Sequence, residues 1–132
     1  MDRKLKEYMK SNGLLVQKNT AYGELMGYAA TLFKEKGYVQ IHIATYFQDI
    51  KMQHEFEDSL DRKLLSREHR LLDLKFLPDQ ICATISYHSP KDMLKLKAFV
   101  EYFFPLLIRY CTVHSNDSTP LSIEKKTLYK TA

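Results

Sequence analysis

Apolar and polar residues alternate along the segment from Gly37 to Phe47, which has the sequence GYVQIHIATYF. Successive side chains of a β-strand point to opposite faces of the sheet, so this period of two predicts a strand with one buried face. The predicted buried set consists of Val39, Ile41, Ile43, Thr45 and Phe47. The opposite set consists of Gln40, His42, Ala44 and Tyr46. The second set is either the hydrated face of a sheet or a binding surface.

Capping and turn residues define the elements before this strand. Asp2 predicts the start of a helix over residues 2–10, because its carboxylate can accept hydrogen bonds from the amides of the first turn. Residues 14–33 predict two strands joined by a turn near Met26-Gly27. The segment 34–37 predicts a hairpin connection into the alternating strand, with glycine at the position that needs a positive φ.

Helical and extended patterns alternate in the second half of the chain. Residues 49–67 carry apolar side chains at helical spacing and predict one helix. Residues 72–76 and 81–88 predict two strands, which the turn residues Pro78-Asp79 join as a hairpin. Ser89-Pro90 predicts the start of the last helix, because serine caps and proline suits the first helical position.

The order of these elements is helix, three strands, helix, two strands, helix. This order predicts an α+β fold in which an antiparallel five-stranded sheet carries its helices mainly on one face. The segment from 1 to 112 is expected to form a single domain. The segment from 113 to 132 is polar and rich in lysine, and it is expected to be a tail or a linker.

The last helix carries more apolar residues than one buried stripe requires. The stripe is predicted from residues at spacings of three and four, namely Leu96, Phe99, Val100, Phe103 and Leu107. Tyr102, Phe104 and Ile108 fall outside it and are expected to be exposed. Proline at position 105 predicts a kink or a break, because it removes one amide donor. We therefore predict six partner-binding residues: Gln40, His42, Tyr46, Tyr102, Phe104 and Ile108.

Composition narrows the class of protein. The chain has 132 residues, 45% of them hydrophobic, and a formal net charge of +4. Acidic residues are interleaved with the basic ones, which disfavours nucleic acid as the partner. The longest apolar run, 98–108, is too short to span a membrane and contains Glu101. Cys82 and Cys111 lack a metal or disulfide spacing, so both are predicted to be reduced thiols in a cytoplasmic protein.

Residues capable of chemistry do not form a recognisable motif. The five histidines are scattered, so neither a metal nor a cofactor is predicted, and no catalytic residue is assigned. Three other interpretations stay open. One is a small hydrolase or thiol enzyme that uses Cys82 with His42 or His88. The others are a nucleic-acid binder that uses the aromatic and basic residues of segment 33–38, and a cytosolic domain of a membrane-associated assembly.

The order of elements over residues 2 to about 112 is similar to the folds of type III secretion chaperones and of YbjN-like proteins. The resemblance implies a non-enzymatic dimer that binds protein. We therefore predict a protein-interaction module that dimerises or binds a protein partner in a chaperone- or adaptor-like role. Its partner is a second protein or a second copy of itself.

Overall fold

The structure is a computed structural model that describes residues 1–111. The helices are α1 (Arg3–Ser11), α2 (Ile50–Ser59), α3 (Arg62–Arg67) and α4 (Met93–Ile108), with a 3-10 turn at Pro90–Asp92 directly before α4. The strands are β1 (Leu15–Gln17), β2 (Thr20–Leu25), β3 (Tyr28–Glu35), β4 (Tyr38–Ala44), β5 (Leu71–Leu77) and β6 (Gln80–Ser86). The predicted domain boundary at 112 and the predicted tail at 113–132 lie outside the described residues.

The six strands form one sheet in the order β1-β2-β3-β4-β6-β5, and every neighbouring pair is antiparallel. The α+β class and the antiparallel sheet are confirmed, but the predicted number of five strands is wrong. The segment predicted as two strands forms three, because an additional turn lies at Lys18-Asn19. Lys18 has a φ of 56°, a conformation that non-glycine residues seldom adopt. The turn predicted at Met26-Gly27 is present, with positive φ at both residues.

The helix predicted over residues 49–67 is divided into α2 and α3. Leu60 leaves the helical region with a φ of −73° and a ψ of 132°, and its side chain is buried. Asp61 then caps α3, because its carboxylate accepts a hydrogen bond from the Leu64 amide at 3.0 Å. Burial of Leu60 and the new cap at Asp61 together explain why the helical pattern continues while the helix itself does not.

The hydrophobic core lies between the helices and one face of the sheet. Val39, Ile41 and Ile43 of β4 are fully buried, as the alternation predicted. All four helices bury their apolar side chains in the same cluster as these strand residues, so the helices are layered on one face. Phe56 of α2 lies within the cluster, with its ring 5.3 Å from the ring of Phe103.

Helix α4 buries a wider arc than the sequence pattern indicated. At about 100° per residue its buried side chains span about 140°, and Phe104 lies at one edge of that arc. Phe104 is 0% exposed and its ring lies 5.9 Å from the ring of Tyr28, so the prediction that it is exposed is wrong. The helix also continues through Pro105 without a break, and the Pro105 side chain faces solvent.

The carboxyl end of α4 is fixed against the sheet by Cys111. The Tyr28 hydroxyl donates to the Cys111 carbonyl, and the Cys111 thiol donates to the Tyr46 carbonyl at 3.1 Å. The Tyr46 amide donates back to the same sulfur at 3.3 Å. These contacts hold the segment that follows β4 beside the end of the last helix.

Candidate functional site

The face of the sheet opposite the helices carries two parallel rows of side chains that cross all six strands. We call this surface the open face. The strand register gives the first row, the His42 row: Leu15, Tyr22, Thr31, His42, Cys82 and Lys75. The register gives the second row, the Gln40 row: Gln17, Thr20, Phe33, Gln40, Thr84 and Asp73. The open face therefore combines aromatic rings with small polar side chains.

A polar network occupies the centre of the open face. His42 Nδ1 lies 3.0 Å from Gln80 Oε1, and His42 Nε2 lies 3.0 Å from Gln40 Oε1. The Gln40 amide also donates to the Thr84 hydroxyl at 3.3 Å. The ring of Phe33 meets the imidazole edge-on, with 5.3 Å between the ring centres. Contacts on both nitrogens and on the ring edge hold the imidazole in one orientation.

Cys82 lies beside this network with its sulfur 3.7 Å from His42 Nε2. The side chain is buried, and burial raises the pKa of the thiol. The positive charge of Lys75 lowers this pKa, and the negative charge of Asp73 raises it. Nucleophilic catalysis needs the thiolate, so a raised thiol pKa works against the thiol-enzyme interpretation. His88 lies beyond the last residue of β6 with its ring beside Gly37, before the start of β4, and does not join the pair of Cys82 and His42.

The predicted partner-binding residues of the strand do not all share the open face. Gln40 and His42 are half-buried and lie in adjacent rows, as the alternation predicted. Tyr46 lies beyond the last residue of β4, where the chain turns toward Cys111. Its side chain is 58% exposed, but it is not part of either row.

The predicted residues on α4 lie in three different environments. Tyr102 is half-buried and not exposed as predicted, because its hydroxyl accepts a hydrogen bond from the Asp61 amide at 2.9 Å at the junction of α2 and α3. Phe104 is in the core. Ile108 is 45% exposed, in agreement with its predicted exposure. These side chains belong to the helical layer, whereas Gln40 and His42 lie on the other side of the sheet.

Sequence reasoning missed residues that complete the open face, chiefly Tyr22 and Thr31 in the His42 row. The signal that could have located them is the alternation along residues 14–33, but it becomes readable only once the Lys18-Asn19 turn is known. The Thr31 hydroxyl is buried and has no hydrogen-bond partner among residues 1–111.

Phe33 and Lys34, the first aromatic and basic pair of segment 33–38, do not lie on one face of the sheet. Phe33 lies on the open face, whereas the Lys34 ammonium lies 5.6 Å from the centre of the Tyr87 ring. Tyr87 is fully buried and belongs to the core on the helical side. Adjacent strand residues point to opposite faces, so this stacking side chain and its neighbouring cation cannot grip one strand of nucleic acid together.

A buried histidine lies outside the open face, where α3 leads into β5. His69 is 6% exposed, and its ring lies 5.6 Å from the ring of Tyr102 and 6.5 Å from that of Phe99. Its Nδ1 atom has no hydrogen-bond partner within the described chain. Burial lowers the pKa of His69, and the charge of Glu68 opposes that shift. The folded protein therefore favours the neutral imidazole.

We expect the free energy of unfolding to decrease as the pH falls below about 6.5, the ordinary pKa of a histidine in an unfolded chain. The reason is that the unfolded chain then binds a proton which the folded chain binds less readily at His69. Urea unfolding between pH 7.5 and pH 5 measures this dependence. His69→Phe should reduce the dependence, whereas the control His54→Gln, at an exposed position of α2, should preserve it. An unchanged dependence in His69→Phe would contradict the assignment.

Neither metal chemistry nor a membrane-spanning segment is indicated by the part of the chain that the structure describes. Within residues 1–111, no three His, Cys, Asp or Glu side chains converge as metal ligands would. None of the helices in this range is long and apolar enough to cross a membrane.

Comparison of the chain with protein-family models, with curated proteins and with solved structures gives no match. We therefore base the proposed function on the geometry of the open face.

Proposed function

We propose that the protein is a non-enzymatic interaction module that binds another protein on the open face of its sheet. The observation that carries this proposal is the arrangement of the His42 row and the Gln40 row on the face opposite all four helices. Antiparallel sheets frequently leave one face hydrated, and the side chains on that face are normally polar or charged. Here Phe33, Gln40 and His42 are adjacent to one another at the centre of the face, with no Asp, Glu, Lys or Arg side chain among them.

The composition of the open face favours a protein partner. Aromatic residues are enriched at protein interfaces, and charged residues are depleted from their centres. Tyr22 and Phe33 supply the aromatic area, while the ion pair of Asp73 and Lys75 lies at the margin on β5. The network around His42 offers hydrogen bonding without mobile side chains, which reduces the entropy lost on binding. A chaperone- or adaptor-like role is consistent with such a surface and is part of the proposal.

A matched pair of substitutions tests the proposal. Gln40→Arg places a cation at the centre of the open face, and Gln53→Arg places one at a position of similar exposure on α2. We expect partner capture from a lysate of the source cells to fall at least tenfold for Gln40→Arg and to stay unchanged for Gln53→Arg, because a buried unpaired charge opposes docking. Thermal unfolding controls for the fold. Capture that is equal for both variants, or absent for the unsubstituted protein, would contradict the proposal.

A further inference from the structure

Strand β5 ends the sheet with an unpaired edge. It pairs with β6 on one side only, and within residues 1–111 no strand lies on its other side. The opposite edge is β1, which has only three residues. An edge strand exposes backbone N–H and C=O groups that can pair with another chain, unless it is short, kinked or charged. With seven residues, β5 is long enough to pair, and its two charged side chains, Asp73 and Lys75, have opposite signs and can attract those of a second copy.

The sequence of β5, LLDLKFL, is complementary to itself in an antiparallel arrangement. If two copies pair about a two-fold axis at Leu74, Asp73 of each copy lies opposite Lys75 of the other. A shift of the centre to position 75 places lysine opposite lysine, and a shift to 73 places aspartate opposite aspartate. Like charges that face each other directly are unfavourable and opposite charges are favourable, so among the registers centred on 73, 74 and 75 the charges favour the one centred on Leu74.

The apolar residues of β5 favour the same pairing. Leu74 and Phe76 point toward the core but stay half-buried at the edge of the sheet, and Leu72 is 63% exposed. In the register centred on Leu74, the two copies of Leu74 face each other on the core side of the joined sheet, while Leu72 is the bulge residue and has no partner in β6. The bulge between Leu71 and Asp73 lies at one end of the strand and leaves the central residues regularly paired with β6.

We propose that a second copy of this chain adds to the sheet at β5, so that two six-stranded sheets join into one continuous sheet across a two-fold axis at Leu74. The axis is perpendicular to the sheet, which places both open faces on the same side. The two His42 residues are then five strand spacings apart, about 24 Å. This assembly uses the sheet edge and does not depend on the proposed function, which uses the sheet face.

The test is the solution mass of the full chain, measured by analytical ultracentrifugation over a range of concentrations. We expect the unsubstituted protein to reach twice the chain mass of 15.5 kDa. Asp73→Lys places lysine opposite lysine at two sites, and Lys75→Asp places aspartate opposite aspartate at two sites. Each single variant should raise the dimer dissociation constant about tenfold. Asp58→Lys, at an exposed position of α2, is the control and should leave the mass unchanged.

Mixing the two single variants distinguishes this register from any other contact. In the mixed dimer every facing pair is again lysine opposite aspartate, although neither chain retains its internal ion pair of Asp73 and Lys75. The mixture should therefore dimerise about as tightly as the unsubstituted protein. A monomeric unsubstituted protein, single variants that dimerise normally, or a mixture that stays monomeric would each overturn the proposal. Gln40→Arg should not change the mass, so failure here is separable from failure of the proposed function.

Discussion

Replacement of Phe104 with lysine is expected to unfold the protein. Phe104 is 0% exposed, and its ring contacts those of Tyr28 and Phe103 at 5.9 Å and 6.1 Å between centres. Removing a buried phenylalanine ring costs about 3–5 kcal/mol. An unpaired ammonium in the same apolar site adds a desolvation cost of several kcal/mol. The sum is comparable with the whole free energy of unfolding of a typical domain, about 5–15 kcal/mol.

Ile108→Lys is the matched control for this variant, because position 108 lies one turn later on the same helix and is 45% exposed. Its free energy of unfolding should change by less than about 0.5 kcal/mol, as is usual for surface substitutions. Circular dichroism and thermal unfolding compare the two variants directly. Equal stability of the two would mean that the buried arc of α4 does not include Phe104.

Phe56→Ala is expected to produce the second largest loss of stability. The Phe56 ring lies at the centre of an aromatic cluster that joins α2, α4 and β5. Its distances to four neighbouring ring centres are 6.0, 6.0, 5.3 and 5.8 Å, for Phe47, Phe76, Phe103 and Tyr110 respectively. Truncation leaves a cavity bounded by these rings and should lower the free energy of unfolding by about 3–5 kcal/mol.

Ile50→Ala is the control for Phe56→Ala, because it removes an aliphatic side chain from the same helix at a position that is 63% exposed. Its effect should stay within about 0.5 kcal/mol. Equilibrium urea unfolding gives both values. A loss below about 1 kcal/mol for Phe56→Ala would contradict the central position of the ring, because truncation of a fully buried phenylalanine normally lowers the free energy of unfolding by more than that.

The parts of the fold that were predicted correctly have local causes. Asp2 accepts a hydrogen bond from the Leu5 amide at 2.9 Å, and Gly37 adopts the positive φ that closes the hairpin before β4. Both features depend on residue types with strong local preferences. The Lys18-Asn19 turn was not predicted because lysine gives no such signal, and the division between α2 and α3 depends on burial of Leu60 by distant residues.

The candidate site was likewise predictable only where its features have local causes. Alternation alone assigned Gln40 and His42 to one face of the sheet, because the period of a strand is a local property. The contact of His42 with Cys82 depends on the register between β4 and β6, which are separated by two helices and another strand. Phe104 was misassigned because a helical pattern gives the direction of a buried arc but not its width. That width is set by the sheet against which the helix packs.

The order of strands in the sheet also determines how the chain assembles. Strands β1 to β4 pair with their neighbours in sequence, and β5 pairs with β6 through a short turn. The pairing of β4 with β6 is different, because Ala44 meets Gln80, which lies 36 residues later. Closing that long loop reduces the conformational entropy of the chain before the contacts between β4 and β6 can offset the loss. The joining of the four-stranded meander and the two-stranded hairpin along β4 and β6 is therefore the strand pairing that requires the longest loop to close.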